Sequence, residues 1–168
     1  MAFTGSPTSS TEYARQVSIA KGNPGDLGLP MQFATFNYTH DAGAGVGEIN
    51  LLKLPAGRIV VWPQFSYLSA SQFAANSDLH LGHRSYVEPD GDTVAEDDDE
   101  WVADATVHTG PISGPLQGTF ATVFTNGTEP GATVYESIDG IVVFASIDSG
   151  NIEDTDTISG WIAYQRLG

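Results

Sequence analysis

Short apolar runs alternate with turn-forming residues along most of the chain. The runs are rich in β-branched and aromatic residues, and Gly, Pro, Asn or Asp separates them. This pattern is typical of strands joined by tight turns. About eight strand candidates follow from it: Met31–Thr39, Ile49–Leu54, Ile59–Leu68, Asp78–Gly82, Leu116–Phe124, Thr133–Ile138, Ile141–Ile147 and Ile158–Leu167. The sequence therefore predicts an all-β domain, a jelly roll or another β-sandwich, with at most one short helix.

Turn residues indicate how some of these strands are connected. The runs on either side of Pro55–Gly57 are expected to pair as a central hairpin. The runs on either side of Asp139–Gly140 are expected to form a second hairpin, because Asp-Gly suits the positive φ of two-residue turns. Gly110–Pro115 contains two Gly-Pro pairs and is expected to be a connection without a strand.

Residues 1–30 differ in composition from the rest of the chain. Gly, Ser, Thr and Pro dominate them, which is typical of an extended N-terminal arm, whereas residues 31–168 form the predicted β-domain. The arm carries spaced apolar anchors and two cations as candidate contacts with a capsid or another subunit: Phe3, Tyr13, Arg15, Val17, Ile19 and Lys21. Two alternatives stay open, an arm that binds a partner and an arm that packs on its own domain.

An acidic segment follows the central strands, with nine acidic residues among the 17 from Glu88 to Asp104. Thr93–Glu96 fits a helix capping box, and apolar residues then recur at roughly helical spacing. A short helix from Val94 to Ala103 with a solvated acidic face is therefore expected. The alternative is a calcium site, because Asp90 and Asp92 supply closely spaced carboxylates, although their spacing does not match an EF-hand loop.

Composition and charge narrow the function classes. With 168 residues, 40% of them hydrophobic, the chain is long enough for one globular domain. Its formal net charge of −15 would repel phosphate backbones and anionic lipid surfaces. We therefore expect neither nucleic acid nor a membrane as a partner. The absence of cysteine excludes disulfides, thiol catalysis and zinc–thiolate sites. The first residues lack the features of a secretory signal, so membrane translocation by that route is not expected.

No reaction centre stands out among the candidate catalytic residues. His80 and His83 lie three positions apart in a strand candidate and would point to opposite faces, which does not suit a shared metal. Asp78 and His80 share a strand face, but the Gly-x-Ser-x-Gly signature of a serine hydrolase is absent. Trp62 and Trp161 would suit sugar stacking if exposed, although their strand patterns favour core packing. The sequence predicts no cofactor, no metal and no catalytic residue.

Three segments resemble small structural proteins of tailed-bacteriophage virions. They are Ile49–Ile59, Asp78–His83 and Asp90–Ala105, and they lie within the part of the chain from Gly47 to Ala105. That group of proteins includes capsid decoration (cement) proteins. The resemblance implies a β-rich, non-enzymatic protein that is made in the host cytoplasm and bound in many copies to the outer capsid surface. There, often as a trimer, it would tie neighbouring major capsid protein subunits together.

A virion structural protein is therefore the main hypothesis, with a capsid decoration protein first and self-association as a trimer expected. The acidic segment and the long arm leave open whether the protein belongs to the capsid shell or to a head or tail fibre. A carbohydrate-binding β-sandwich module of such a fibre is the competing hypothesis. A small hydrolase is the third.

Overall fold

The computed structural model describes residues 30–41, 45–116, 125–126 and 132–167, and most of these residues lie in strands. The strands are β1 (Gln32–Thr39), β2 (Gly45–Leu54), β3 (Gly57–Val61), β4 (Tyr67–Ala70), β5 (Asp78–His83), β6 (Tyr86–Val87), β7 (Thr93–Val94), β8 (Asp97–Thr106), β9 (Ile112–Pro115), β10 (Thr125–Asn126), β11 (Thr133–Ser137), β12 (Ile141–Ile152) and β13 (Thr157–Leu167). A 3-10 turn at Pro63–Phe65 separates β3 from β4. None of the described helical segments is long and apolar enough to cross a membrane.

The principal strands form two antiparallel sheets that enclose one core. In sheet A, β13 pairs with β1 on one side. On its other side it pairs with β3 and β4, which follow one another along the strand. Beyond them, β11 pairs with β3 and β9 pairs with β4. The order in sheet B is β10-β8-β5-β12-β2, and β6 and β7 form a small hairpin between β5 and β8.

The pairing between early and late strands defines the fold as a jelly roll. β1 pairs with β13, β2 with β12, β4 with β9, and β5 with β8, all antiparallel. The first half of the domain therefore pairs with the second half in reverse order, as in a long hairpin rolled into two sheets. The prediction of an all-β jelly roll or sandwich is confirmed.

Alternation along the strands places one set of side chains between the sheets. β13 contributes Ile158 and Ile162, which are fully buried, and β4 contributes Leu68. The facing side chains of sheet B include Leu79 and Leu81 of β5. Complete burial of a side chain of this size stabilises a fold by about 1.5–3 kcal/mol, so these inward positions hold the two sheets together.

The expected helix from Val94 to Ala103 is wrong, because this segment forms β7 and most of β8. Two register shifts occur where β8 pairs with β5, and such bulges break strict alternation. Glu100, Trp101 and Val102 are consequently buried in succession, so this strand lacks the alternation by which a strand is recognised in a sequence. The segment is a strand because its backbone hydrogen bonds with β5 and its burial against that strand outweigh its local helix propensity.

Both predicted hairpins are also wrong, because their strands lie in different sheets. Pro55–Gly57 carries the chain from β2 in sheet B to β3 in sheet A. Asp139–Gly140 carries it from β11 in sheet A to β12 in sheet B, although Gly140 does adopt the expected positive φ of 95°. Turn residues indicate the local backbone conformation, but they do not determine which strands pair.

Two further expectations concern the segment before β11. Gly110–Pro115 was expected to lack a strand, but its residues from Ile112 onward form β9, which pairs with β4. The expectation is wrong because only the second Gly-Pro pair lies within β9, and proline is tolerated on a strand at the end of a sheet. The candidate Leu116–Phe124 lies outside the described residues except for Leu116, which is buried. The division into an arm of residues 1–30 and a domain of residues 31–168 stays a prediction.

Candidate functional site

The arm residues predicted to contact a partner lie outside the described residues. They are Phe3, Tyr13, Arg15, Val17, Ile19 and Lys21. The described chain begins at Pro30, immediately before β1, and β1 is an edge strand of sheet A. Pro30, the first described residue, therefore lies close to the start of β1.

The outer face of sheet A carries five aromatic residues, which we call the aromatic face: Phe33, Trp62, Phe65, Tyr67 and Trp161. Trp161 lies opposite Tyr67 on β4 and opposite a threonine on β1. Phe33 and Phe65 expose 56% and 51% of their surface, and the other three residues are half-buried. The expectation that Trp62 and Trp161 pack in the core is wrong, because both lie on the outer side of their sheet.

Hydrogen bonds and stacking fix the orientation of these rings. The indole of Trp161 stacks on Tyr67, with ring centroids 4.6 Å apart and planes inclined by 12°. Its Nε1 donates to the carbonyl of Phe65 at 2.8 Å. Trp62 Nε1 donates to the side-chain oxygen of Gln165 at 3.1 Å. With their polar atoms satisfied, the rings present apolar surface that loses little conformational entropy when it is covered.

A local sequence feature explains why Trp62 and Phe65 project from the sheet. Pro63 opens the 3-10 turn between β3 and β4, the two strands that pair with the same side of β13. The buried Ser66 hydroxyl donates to the carbonyl of Trp62 at 3.0 Å and accepts from the amide of Ala163 at 2.9 Å. Ser66 thus replaces the missing ladder bond and anchors the turn to β13.

Among the described residues, the side chains next to the aromatic face are uncharged, although the protein as a whole is strongly acidic. The outward strand positions beside the rings carry small polar side chains: Thr35, Asn37, Ser69, Ser113 and Ser159. The Arg58–Glu136 ion pair, 2.9 Å between Nε and Oε1, lies further out, where β3 pairs with β11. A partner can therefore cover the rings without desolvating an isolated charge.

The outer face of sheet B has the opposite character. Arg84 lies 3.9 Å above the ring of Phe144, contacts Glu48, and forms a 2.9 Å ion pair with Glu96. Burial alone would lower the pKa of Arg84, but hydrogen bonds to Glu96 and Glu48 more than offset it and raise that pKa. Further carboxylates lie along this face at Asp78, Asp104 and Asp148. The domain thus has one aromatic face and one acidic face.

The two histidines singled out from the sequence lie on opposite faces of β5, as predicted. The ring of His83 is buried in the core, 5.3 Å from that of Tyr86 and 5.8 Å from that of Tyr135. His80 points to the outer face of sheet B, opposite Ser146 on β12. Among the described residues, neither ring nitrogen of His80 makes a hydrogen bond, so no Asp-His-Ser triad is assembled.

A buried polar cluster connects the two sheets at one end of the domain. Trp101 Nε1 donates to the hydroxyl of Tyr135 at 3.1 Å, and that hydroxyl donates to the carboxylate of Glu100. Burial and the Glu100 hydrogen bond raise the pKa of Tyr135, and burial together with nearby carboxylates raises that of Tyr86 to about 12. Both phenols stay protonated at neutral pH, which suits a structural role better than proton abstraction.

The acidic segment does not bring Asp90 and Asp92 together with a third carboxylate. Asp90 accepts a hydrogen bond from the backbone amide of Asp92 at 3.1 Å in an exposed turn. Among the described residues, three carboxylates within 4.8 Å of one another occur instead at Asp97–Asp99. Burial and a hydrogen bond with Asp99 raise the pKa of Asp97. Calcium binding by residues 88–104 stays a prediction.

Sequence comparisons identify no relative of this protein. No protein-family model matches the chain, and no curated protein matches it. Solved structures do match. A chain of the cyanophage Pam1 capsid asymmetric unit is 11% identical, with 83% of this chain and 86% of that chain covered and a TM-score of 0.52.

Two other structures of virus particles are similar at lower scores. A chain of the acidic stable capsid of Helicobacter pylori bacteriophage KHP30 is 16% identical, with 83% of this chain and 95% of that chain covered and a TM-score of 0.33. The infectious bursal disease virus VP2 subviral particle gives 14% identity and a TM-score of 0.43, and this chain spans 33% of that chain. The Pam1 match therefore supports one conclusion: the protein shares its jelly-roll fold with a chain of a bacteriophage capsid.

Proposed function

We propose that the protein is a non-enzymatic virion structural protein, specifically a capsid decoration (cement) protein. In this role it binds the outer capsid surface and stabilises contacts between major capsid protein subunits. The observation that carries the proposal is the contrast between the uncharged aromatic face of sheet A and the acidic outer face of sheet B. The first face suits attachment, and the second suits exposure to solvent.

The size of the aromatic face fits a specific contact. Aromatic residues bury about 150–250 Å² each and dominate the energetics of interfaces, in which Trp and Tyr are common hot spots. Soluble monomers rarely leave a contiguous apolar patch of more than a few hundred Å² exposed. Five oriented rings on one sheet face therefore favour a binding surface over incidental exposure.

The comparison with the Pam1 capsid supports the same proposal. The structural match covers most of both chains. The Pam1 capsid therefore contains a chain that consists of little more than this fold. We accordingly propose the capsid surface as its location and the host cytoplasm as its place of synthesis.

The arm and self-association complete the proposal. The arm joins the domain at Pro30, near Phe33, so its anchors Phe3, Tyr13, Val17 and Ile19 can bind the partner that covers the aromatic face. Its cations Arg15 and Lys21 suit a partner with acidic groups. We further propose that the domain forms a closed homo-oligomer, a trimer, because several copies bound together gain avidity for a repeating shell. Nucleic acid and membranes are not partners in this proposal.

A carbohydrate-binding module of a head or tail fibre is the competing proposal. Half-exposed rings beside polar side chains such as Asn37 and Ser69 favour it, because sugars stack on aromatic faces. The mutual stacking of Trp161 and Tyr67 already covers one face of each ring, which favours a protein contact instead. Binding on a glycan array, with no binding to capsids, would decide for the fibre module.

The test is binding to purified capsids of the phage that encodes the protein. Cryo-electron microscopy should show symmetric decoration, and co-sedimentation should give the affinity. We expect Phe33→Ser and Phe65→Ser to weaken binding at least about 10-fold, since each removes an exposed interfacial ring. The matched control is Ile138→Ser, which removes a 60% exposed apolar side chain in the turn after β11. Undecorated capsids would refute the function, and equal losses in all three variants would refute the aromatic face as the contact.

A further inference from the structure

One long side of β1 has no partner strand among the described residues, and we call this side the free edge. On its other side β1 pairs with β13. The eight residues Gln32–Thr39 follow the register of β13 without a shift, and none of them is charged, a glycine or a proline. Such an edge is a ready template for another strand, so proteins normally protect their edges with charges, prolines, bulges or very short strands.

The other described strands at the ends of sheets A and B all carry such protection. β2 contains Glu48 and Lys53 and has two register shifts against β12. β11 has five residues and carries Glu136. β9 has four residues and ends at Pro115, and β10 has two residues. Within the described part of the chain, β1 is therefore the exception, a long edge strand that is left ready to pair.

Hydrogen bonds of β13 show which backbone groups of β1 lie at the free edge. The amide of Ala163 donates to Ser66 Oγ at 2.9 Å, and its carbonyl accepts from the amide of Trp62 at 2.8 Å, so both point away from β1. Ala163 lies opposite Phe33, and the two therefore form a non-hydrogen-bonded pair. The residues of β1 that direct their amide and carbonyl groups to the free edge are consequently Phe33, Thr35, Asn37 and Thr39.

The free edge is continuous with the aromatic face on one side of sheet A and with the core on the other. Phe33, which is 56% exposed, belongs to both the free edge and the aromatic face. On the inner side, Ala34 and Tyr38 pack against the core but are only half-buried. A strand added beside β1 would cover these apolar side chains and would satisfy the unpaired backbone groups.

We propose that an extended segment of the capsid partner pairs with the free edge and becomes a further strand of sheet A. This inference rests on the proposed function, because the partner that covers the aromatic face meets the free edge at Phe33. The segment that fits is uncharged, since a charge buried against this uncharged strand would lose its hydration without gaining a counter-ion. Apolar side chains at every second position would cover Ala34 and Tyr38, while the main-chain hydrogen bonds supply affinity.

The first test uses variants that separate the backbone of the free edge from its side chains. Thr35→Pro and Asn37→Pro each remove an amide that points to the free edge and spare the hydrogen bonds with β13, so we expect the fold to be retained. Thr35→Ala and Asn37→Ala are the matched controls, because they shorten the same side chains and keep the amides. In co-sedimentation with purified capsids, each proline variant should bind at least about 10-fold more weakly, and each alanine variant within about 2-fold of the unmodified protein.

Hydrogen exchange of the unmodified full chain tests the same edge without a substitution. In the free protein the amides of Thr35 and Asn37 should exchange rapidly, whereas those of Ala34 and Phe36, which bond to β13, should be protected. On decorated capsids the amides of Thr35 and Asn37 should become protected as well. Cryo-electron microscopy of these capsids should show an added strand beside β1.

The outcomes distinguish this inference from the proposed function. Decorated capsids on which the proline and alanine variants bind equally, or on which the amides of Thr35 and Asn37 still exchange rapidly, would reject the added strand and leave the function standing. Undecorated capsids would refute both. Protection of these amides in the free protein would instead assign the free edge to another segment of the same chain, or to a second copy if the protection grows with concentration. If a proline variant fails to fold, exchange in the unmodified protein still decides.

Discussion

Tyr135 of sheet A donates its phenolic proton to the buried carboxylate of Glu100 in sheet B, and Trp101 donates to the same phenol oxygen. Tyr135 lies on β11, which pairs with β3 in sheet A, whereas Glu100 and Trp101 lie on β8 in sheet B. This single hydroxyl therefore links the two sheets through a chain of hydrogen bonds. Such a buried network stabilises only when every member is satisfied.

The first prediction is that Tyr135→Phe lowers the free energy of unfolding by about 1–3 kcal/mol, because buried polar groups then lose a partner. Urea denaturation measures the effect. Glu100→Gln and the double variant complete a mutant cycle. The two changes should be coupled by about 0.5 kcal/mol or more, since the residues share a hydrogen bond. Additive effects would contradict the proposed linkage.

The second prediction concerns alkaline pH. Burial, with the charges of Glu88 and Glu100, raises the pKa of Tyr86 to about 12, and burial with the Glu100 hydrogen bond raises that of Tyr135. Tyrosine in the unfolded chain ionises near pH 10. Below about pH 10 both states are protonated and this stabilisation is complete. Above it the unfolded state loses protons first, so stability should fall as pH rises toward about 12 and beyond.

Urea denaturation across this pH range measures the alkaline loss of stability. In Tyr86→Phe the loss should be shallower, because one of the groups with a raised pKa is gone. Ultraviolet titration of the native protein should also show that Tyr86 and Tyr135 ionise at a higher pH than tyrosine in the unfolded chain does. A stability that is independent of pH up to unfolding would contradict the buried state of these phenols.

The third prediction separates two effects at glycine turns. Gly57 and Gly140 both have a positive φ, of 99° and 95°. A Cβ at Gly57 would meet no atom within 4 Å, whereas one at Gly140 would lie 2.4 Å from the carbonyl oxygen of Leu54. Gly57→Ala should therefore cost about 1–2 kcal/mol from backbone strain alone, and Gly140→Ala or Gly140→Val should cost more.

Melting temperature and urea denaturation measure both glycine variants. The control is Gly110→Ala, where a Cβ has open space. An unchanged melting temperature in Gly140→Val would contradict the turn that carries the chain from β11 to β12.

The fourth prediction is that a chain truncated to begin at Gln32 keeps the fold of the domain and loses most of its affinity for capsids. Every strand in the part of the chain that the structure describes begins at or after this residue. Ordering an arm on a partner costs about 1–2 kcal/mol of backbone entropy per residue, so an arm that binds must contribute several anchors. Circular dichroism and thermal melting test whether the truncated chain keeps its fold, and co-sedimentation with capsids tests its affinity. Full binding by the truncated chain would reject the arm, and failure to fold would mean that the arm packs on its own domain.

The fifth prediction is a closed oligomer, a trimer, in sedimentation at micromolar concentration. The truncated chain should form the same oligomer, since self-association is assigned to the β-domain rather than to the arm. A monomer in solution and on capsids would contradict this prediction.

Strand positions could be predicted from the sequence where alternation is simple. Gln32–Thr39 and Thr157–Leu167 correspond closely to runs visible in the sequence, because one face of each is buried and turn residues bound both. The pairing of strands could not be predicted, because a turn such as Pro55–Gly57 has the same sequence pattern whether it joins two strands of one sheet or strands of two different sheets. Ladders such as β1 with β13 join distant segments, and one sequence carries no record of that pairing.

The candidate site was less accessible to sequence reasoning than the fold. Trp161 is followed by Ile162 and Ala163, which are fully buried, so no clean alternation marks it as outward. Trp101 lies in the predicted helix from Val94 to Ala103, whereas in the structure it belongs to β8 and is 1% exposed, because the bulges in β8 break the alternation of a regular strand.

The central position of β13 in sheet A has a consequence for biosynthesis. β13 joins β1 on one side to β3 and β4 on the other, and each of these contacts spans most of the domain in sequence. Folds with such distant pairings form slowly, in about milliseconds to seconds. Before β13 docks, sheet A has no centre and Trp161 has no Tyr67 to stack on. Only a molecule with β13 in place can display the complete aromatic face, so under the proposed function an incompletely folded chain would not compete for the capsid surface.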